Sequence, residues 1–194
     1  VLVRAVLAPH RALGRFERVT YREALRRHAG LDPMTAGVAD LADALRAQGV
    51  VAPAADRDAL LDLLVSAVVG PALGRDGGCF VHAYPAAQAA LARLDPDDSS
   101  VAERFELYLD GVELANGFHE LADPAEQRAR FAADLAERAR RGLPVAALDE
   151  RFLAALAAGL PDCSGVALGF DRLVMVGLGL GSLAEAMAFT ADRA

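Results

Sequence analysis

The sequence predicts an α+β fold in which helices flank a mostly antiparallel sheet. Residues 101–120 alternate apolar and polar side chains on both sides of Asp110-Gly111, a pair that strongly indicates a tight hairpin turn. Residues 79–84 are typical of another strand, in which regular alternation would place His82 and Tyr84 on one face. Helix signals occur before and after these strands, so we expect the helices to serve as scaffold and cover for the sheet.

Composition limits the class of protein. With 194 residues, 54% of them hydrophobic and 24% charged, the chain is long enough for one sizeable core, and we expect a single domain over residues 1–194. A formal net charge of −7 argues against a broad nucleic-acid-binding face. No apolar run is long enough for a membrane span, which favours a cytoplasmic location with no membrane partner. Cys79 and Cys163 are expected to be buried thiols, because neither has a CxxC partner.

Start and stop signals predict the helices. Thr20-Tyr21-Arg22-Glu23 forms a capping-box pattern, and Asp123-Pro124 is the clearest helix start in the chain. The first predicted helix starts at residue 1 with no cap and no initiator Met, so we expect the chain to begin inside a longer protein. The predicted helices cover 1–8, 20–30, 38–48, 56–69, 123–141 and 149–158.

The hairpin carries the strongest chemical signal. If Asp110 and Gly111 form the turn, Glu106 lies opposite Ala115 and becomes a diagonal neighbour of Glu113 on one face. Carboxylates at diagonally neighbouring strand positions are close enough to share a cation. Acids on a hairpin are nevertheless more often simply solvated. Two more polar side chains follow in the same strand, Asn116 and Glu120. We expect a β-bulge at Asn116-Gly117, because without a bulge Asn116 and Glu113 lie on opposite faces.

A second stretch near the C-terminus also suggests a binding site. The apolar run from Val166 to Phe170 predicts a short buried strand, and the small residues Gly165, Ala167 and Gly169 alternate along one of its faces. Arg172 follows at the predicted strand-to-helix junction, where a guanidinium and free helix N–H groups can bind a phosphate. Ordinary packing of a glycine-bearing strand explains these residues equally well.

Together, the two stretches resemble a known family. The pattern Glu-x6-Glu-x2-Asn-Gly-Phe-x-Glu followed by Gly-x3-Gly-x-Asp-Arg resembles the second half of the class II lysyl-tRNA synthetase catalytic domain. The phrases GVELANGFHEL and GLPDCSGVALGFDRLVM are similar to a related family, the ligases that attach β-lysine to a lysine of translation elongation factor P. The resemblance extends over about residues 18–194. It implies the α+β catalytic core of class II synthetases and two-step, ATP-dependent ligation.

The resemblance also implies roles for particular residues. Glu106 and Glu113 would hold Mg²⁺ and the ATP phosphates, and Gly169 and Arg172 would bind ATP, with Arg172 as the catalytic arginine. A lysine-like amino acid would lie against four further residues: Asn116, Glu120, Gly165 and Ala167. The implied acceptor is elongation factor P rather than tRNA, and the implied assembly of the complete protein is a homodimer.

Two departures from the synthetase pattern favour the ligase. His119 stands where lysyl-tRNA synthetases usually have Ser, and Ala167 stands where they usually have Gly, so the amino-acid pocket is reshaped by one methyl group. A lysyl-tRNA synthetase core and a non-catalytic module that binds lysine or a translation factor remain as alternatives. The first two class motifs of the family would precede Val1. We therefore expect the N-terminal part of the fold to be missing and the chain alone not to be a competent ligase.

Overall fold

A computed structural model describes residues 1–52, 56–191 and 193 of the chain. The strands are β1 (Glu17–Thr20), β2 (Gly78–Pro85), β3 (Val101–Leu109), β4 (Val112–His119) and β5 (Ser164–Leu168). The α-helices are α1 (Leu2–Leu7), α2 (Tyr21–Ala29), α3 (Val38–Ala47), α4 (Arg57–Leu64), α5 (Gly70–Ala72), α6 (Pro124–Arg140), α7 (Glu150–Ala158), α8 (Phe170–Leu178) and α9 (Leu183–Ala186). A π-helical turn (Val65–Val69) joins α4 to α5, and a 3₁₀ turn (Ala86–Gln88) follows β2.

The five strands form one sheet in the order β1-β2-β3-β4-β5. Only the β1–β2 pair is parallel, and the other three neighbouring pairs are antiparallel. The predicted α+β fold with a mostly antiparallel sheet is therefore confirmed.

Helices cover the two faces of the sheet at different places. On one face, α2 to α5 pack over β1, β2 and the end of β3, in a core that includes Leu25, Leu61 and Val81. On the other face, α1 and α8 pack against β3 and β4 through a core that includes Leu7 and Leu173. Polar residues of the hairpin, among them Glu106 and Glu113, lie on the first face and line a cavity together with residues of α4 and the π-helical turn.

The predicted helix signals are confirmed by cap geometry. The Thr20 side chain accepts from the backbone N–H of Glu23 and the Glu23 side chain accepts from the Thr20 N–H, so α2 begins with a true capping box. The Asp123 carboxylate caps α6 by accepting from the backbone N–H groups of Ala125 and Glu126, with Pro124 at the first helical position. These caps fix where the helices begin.

The prediction of a buried strand from Val166 to Phe170 is wrong in two respects. The strand runs from Ser164 to Leu168, because Gly169 is already the N-cap of α8 and Phe170 is its first residue. The strand is also not buried, and Val166 is 64% exposed. The reason is its position: β5 is an edge strand with a neighbour on one side only.

The expectation that His82 and Tyr84 share a face is also wrong. Ala83 has a positive φ of 55°, and the pairing of β2 with β3 shifts between His82 and Tyr84. This irregularity interrupts the alternation. Tyr84 therefore joins the core of Val81, under α2.

Gly74→Ala is expected to destabilise the chain more than Gly49→Ala. Both glycines have positive φ, 67° and 74°, which costs a side-chain-bearing residue about 1–2 kcal/mol. A Cβ on Gly74 would also meet the Tyr108 carbonyl oxygen at 2.6 Å, whereas at Gly49 no described atom lies within 4 Å. The free energy of unfolding in urea should fall by about 1–2 kcal/mol for Gly49→Ala and by more for Gly74→Ala. Equal losses would contradict the close contact.

Candidate active site

The hairpin turn forms as predicted, but its register shifts after two pairs. Asp110 and Gly111 both have positive φ, 53° and 79°, as a type I′ turn requires. Leu109 pairs with Val112 and Tyr108 with Glu113, as expected. The next pair is Leu107 with Ala115, which leaves Leu114 as an extra residue in β4. The structure thus contains a β-bulge at Leu114.

The predicted pairing of Glu106 is wrong because of this bulge. Its partner is Asn116 and not Ala115, because Leu114 adds one residue to β4. A bulge was predicted, but at Asn116-Gly117, where β4 in fact continues without interruption. Glu106, Glu113 and Asn116 therefore lie on one face of the sheet. The prediction that the two glutamates share a face is confirmed.

Glu106 is the centre of the site, because the residue is 7% exposed and both of its carboxylate oxygens accept hydrogen bonds. Arg104 Nη2 donates to its Oε1 at 2.7 Å and Asn116 Nδ2 donates to the same oxygen at 3.1 Å. The Tyr108 hydroxyl donates to Oε2 at 2.7 Å. Burial, assisted by the negative charge of Glu106, raises the pKa of Tyr108, so this hydroxyl stays protonated and remains a donor.

Arg104 contacts three further residues besides Glu106. Its Nη1 donates to the Gln88 carbonyl at 2.8 Å, its Nε donates to Asn116 Oδ1 at 3.4 Å, and its guanidinium lies 4.4 Å above the Tyr84 ring. These contacts fix the Asn116 amide with its oxygen toward Arg104 and its nitrogen toward Glu106. Arg104 was not among the residues predicted from the sequence, although it belongs to the same alternation as Glu106 and Tyr108.

Glu113 and Arg172 form the outer part of the site. Arg172, in the first turn of α8, donates through Nη1 to the Glu113 carbonyl at 2.9 Å and lies 3.4 Å from its Oε2. Both side chains are partly exposed, at 36% and 47%. The N–H of Gly169 donates to the Leu114 carbonyl at 2.9 Å and so attaches the start of α8 to the bulge. Arg172 therefore lies at the strand-to-helix junction where the sequence predicted it.

These residues line one cavity of about 450 Å³. Glu106, Glu113 and Arg172 belong to its wall, together with Arg104 and Tyr108. The structure thus brings together the acids and the arginine of the two sequence stretches.

The remaining predicted residues lie on the same face, farther along β4 and β5. Ala167 pairs with Asn116, and Gly165 pairs with Phe118. A Cβ added to Gly165 would clash with the Glu120 carboxylate, so this glycine makes room for that acid. Asn116, Glu120, Gly165 and Ala167 therefore form a strip that continues outward from the cavity.

His119 lies on the opposite face, because β4 and β5 pair without interruption from Ala115 to His119. Its Nδ1 lies 2.9 Å from Glu103 Oε2 and its Nε2 lies 2.6 Å from Asp162 Oδ1. The hydrogen bond from His119 lowers the pKa of Asp162. His119 therefore contacts the loop that leads into β5 instead of the strip itself.

The donor set fits a magnesium ion that also binds a nucleotide. Within residues 1–52, 56–191 and 193, the chain contains no group of three or more His, Cys, Asp or Glu side chains able to hold a metal. Glu113 is accessible, and Glu106 Oε2 accepts one protein hydrogen bond, from Tyr108. Mg²⁺ commonly uses one or two carboxylates and completes its octahedron with phosphate oxygens and water. Two carboxylates without a closed protein cage match that preference.

Comparison with known proteins defines the class. The family model of the class II tRNA synthetases (D, K and N) matches residues 4–193, and the chain belongs to this family. Among the described residues, no helix has the length and apolarity needed to cross a membrane.

The chain is similar to curated proteins named elongation factor P–(R)-β-lysine ligase. It is 51% identical over 181 residues to the protein of Klebsiella pneumoniae subsp. pneumoniae, a match that covers 92% of this chain and 56% of that protein. It is 50% identical to the Salmonella dublin protein, with the same coverage. The chain thus spans about half the length of the curated relatives that it matches.

Arg104→Met is expected to destabilise the chain by about 3–5 kcal/mol, because it leaves the buried Glu106 carboxylate without its cation. The double variant Arg104→Met/Glu106→Gln should lose less stability than the single variant, since this pair then leaves no buried charge. The free energy of unfolding in urea provides the comparison. A double variant no more stable than the single variant would show that the uncompensated charge of Glu106 is not the cause of the destabilisation.

Proposed function

We propose that the chain forms part of an ATP-dependent ligase that activates β-lysine and transfers it to a lysine of elongation factor P. The observation that carries the proposal is the common face of Glu106, Glu113 and Asn116 beside Arg172. The names of the relatives favour this ligase over a lysyl-tRNA synthetase core or a non-catalytic lysine-binding or factor-binding paralogue.

The reaction has two steps. An oxygen of the amino-acid carboxylate attacks the α-phosphorus of ATP, the bond to the bridging oxygen breaks, and pyrophosphate leaves. The acceptor amine then attacks the carbonyl carbon of the adenylate, loses a proton and expels AMP. In both steps the protein acts mainly by positioning and by charge neutralisation.

The nucleotide end of the site is assigned to the cavity. Arg172 is exposed enough to donate to a phosphate while it remains beside Glu113, and Gly169 allows the start of α8 to approach the nucleotide closely. Glu113 and Glu106 would hold Mg²⁺, which neutralises phosphate charge when bound. The contacts from Arg104 and Tyr108 keep the Glu106 carboxylate in one orientation for this role.

The amino-acid end is assigned to the strip along β4 and β5. Asn116 has one amide hydrogen left for a substrate carboxylate after it donates to Glu106. Glu120 provides a negative charge for an ammonium group, and Gly165 leaves the space that its carboxylate occupies. Ala167 lies directly opposite Asn116 and narrows the strip by one methyl group relative to glycine.

Three further parts complete the proposal. The acceptor is elongation factor P and not tRNA, the complete protein works as a homodimer, and its location is the cytoplasm. Residues 1–194 contribute one part of a single catalytic domain.

Glu113→Gln is expected to weaken binding of Mg²⁺-ATP to this chain by about tenfold or more, because it removes an accessible charged metal ligand. Glu103→Gln is the matched control, since Glu103 lies on the opposite face beside His119. Titration calorimetry with ATP in the presence and absence of Mg²⁺ measures the effect. Equal loss in the two variants would exclude Glu113 from the nucleotide site.

Ala167→Gly, introduced into a complete enzyme, is expected to change the preference between lysine and β-lysine while the KM for ATP stays the same. One methyl group in a tight pocket is worth about 1–3 kcal/mol of discrimination at most. Amino-acid-dependent ATP–pyrophosphate exchange with each amino acid gives the ratio of kcat/KM. An unchanged ratio would show that Ala167 is not a pocket residue.

A further inference from the structure

Tyr21, Asp62 and Tyr84 form a part of the cavity wall that we call the recess. Tyr21 and Tyr84 are 1% and 3% exposed, their ring centroids lie 4.8 Å apart, and both line the cavity. Neither hydroxyl oxygen makes a hydrogen bond of normal length and angle with a described residue. Burial raises the pKa of both groups, so they are neutral hydroxyls. Buried polar groups are normally paired, so each of these two hydroxyls is free to pair with a ligand.

A carboxylate lies in the same recess. Asp62 of α4 lines the cavity, and the Gln88 side-chain amide donates to its Oδ1 at 2.8 Å. Asp62 and Tyr21 line the same cavity. Burial raises the pKa of Asp62, and the charge of Asp62 contributes to the raised pKa of Tyr21. Asp62 is not among the residues that the family resemblance assigns.

The local charge favours a cation. Asp62 and Glu106 contribute two negative charges, and Arg104 contributes one positive charge. The Arg104 guanidinium already donates to Glu106, Asn116 and the Gln88 carbonyl, and its face lies on the Tyr84 ring. It is therefore poorly placed to attract an anion. The recess as a whole is negative.

We propose that this recess binds a primary ammonium group. An ammonium has three N–H donors, and Asp62 with the hydroxyls of Tyr21 and Tyr84 provides three acceptors. The charge of Asp62 supplies the attraction, and the two hydroxyls acquire the partners that they otherwise lack. This site is distinct from Glu120, which does not line the cavity.

The inference rests on the proposed function, which supplies two sources of such a group. One source is the amino acid that is activated, since β-lysine carries two amino groups. The other is the lysine side chain of the acceptor protein. Both present a primary ammonium near the nucleotide-binding residues.

Titration calorimetry on this chain tests the proposal with three ammonium probes: lysine, (R)-β-lysine and the acceptor mimic Nα-acetyl-lysine N-methylamide. Asp62→Asn should weaken binding of at least one probe about tenfold or more, and Tyr84→Phe should weaken the same probe. A loss of affinity confined to β-lysine identifies the activated amino acid as the source of the ammonium group. A loss of affinity confined to the acceptor mimic identifies the acceptor lysine as that source. Unchanged affinity for every probe in both variants, or no binding of any probe by the wild-type chain, would overturn the proposal.

Two controls separate this result from misfolding and from failure of the proposed function. Tyr108→Phe removes a hydroxyl that donates to Glu106, so it should lower the Tm, whereas Tyr84→Phe should leave the Tm of the unliganded chain unchanged or higher. Mg²⁺-ATP binding should be normal in Asp62→Asn and reduced in Glu113→Gln. If Mg²⁺-ATP binds to neither the wild type nor the variants, the proposed function fails. The titrations with the ammonium probes still test the recess in that case, because they do not depend on nucleotide binding.

Discussion

The buried ion pair between Arg104 and Glu106 is the constraint on which the rest of the site depends. The Glu106 side chain is 9% exposed, and a carboxylate so deeply buried is tolerated only when its charge is compensated and its oxygens accept hydrogen bonds. Arg104, Tyr108 and Asn116 meet both needs. Because each of these partners bonds to the same carboxylate, their side chains are fixed relative to one another before any ligand arrives. Such preorganisation is what positioning and electrostatic catalysis require.

The β-bulge at Leu114 makes that arrangement possible. Regular pairing would place Ala115 opposite Glu106 and turn Asn116 to the other face of the sheet, whereas the extra residue brings Asn116 to Glu106. The Leu114 side chain is buried in the core beneath α8, and its carbonyl accepts from the Gly169 N–H. The same residue therefore sets the register of the hairpin and connects the start of α8 to it.

Much of this structure is encoded locally and was predictable from the sequence. The capping box at Thr20, the Asp123-Pro124 start of α6 and the Asp110-Gly111 turn each depend on residues within a few positions of one another. The position of the bulge was not predictable in this way, because it depends on how Leu114 packs against the α8 side of the sheet. The exposure of β5 was missed for a similar reason: an apolar run does not reveal that its strand lies at an edge. Arg104 was overlooked although the alternation of β3 contained the signal, and the recess around Asp62 joins elements too distant in sequence for any spacing rule.

A crystal structure of this chain with Mg²⁺, a non-hydrolysable ATP analogue and β-lysine is the most direct test of the central claim, that the Glu106 face is the ligand-binding face. We expect the phosphates beside Glu113 and Arg172 and the amino acid along the strip of β4 and β5, with the Arg104–Glu106 pair unchanged. Ligands bound on the His119 face of the sheet, or a Glu106 carboxylate released from Arg104 when they bind, would contradict the account.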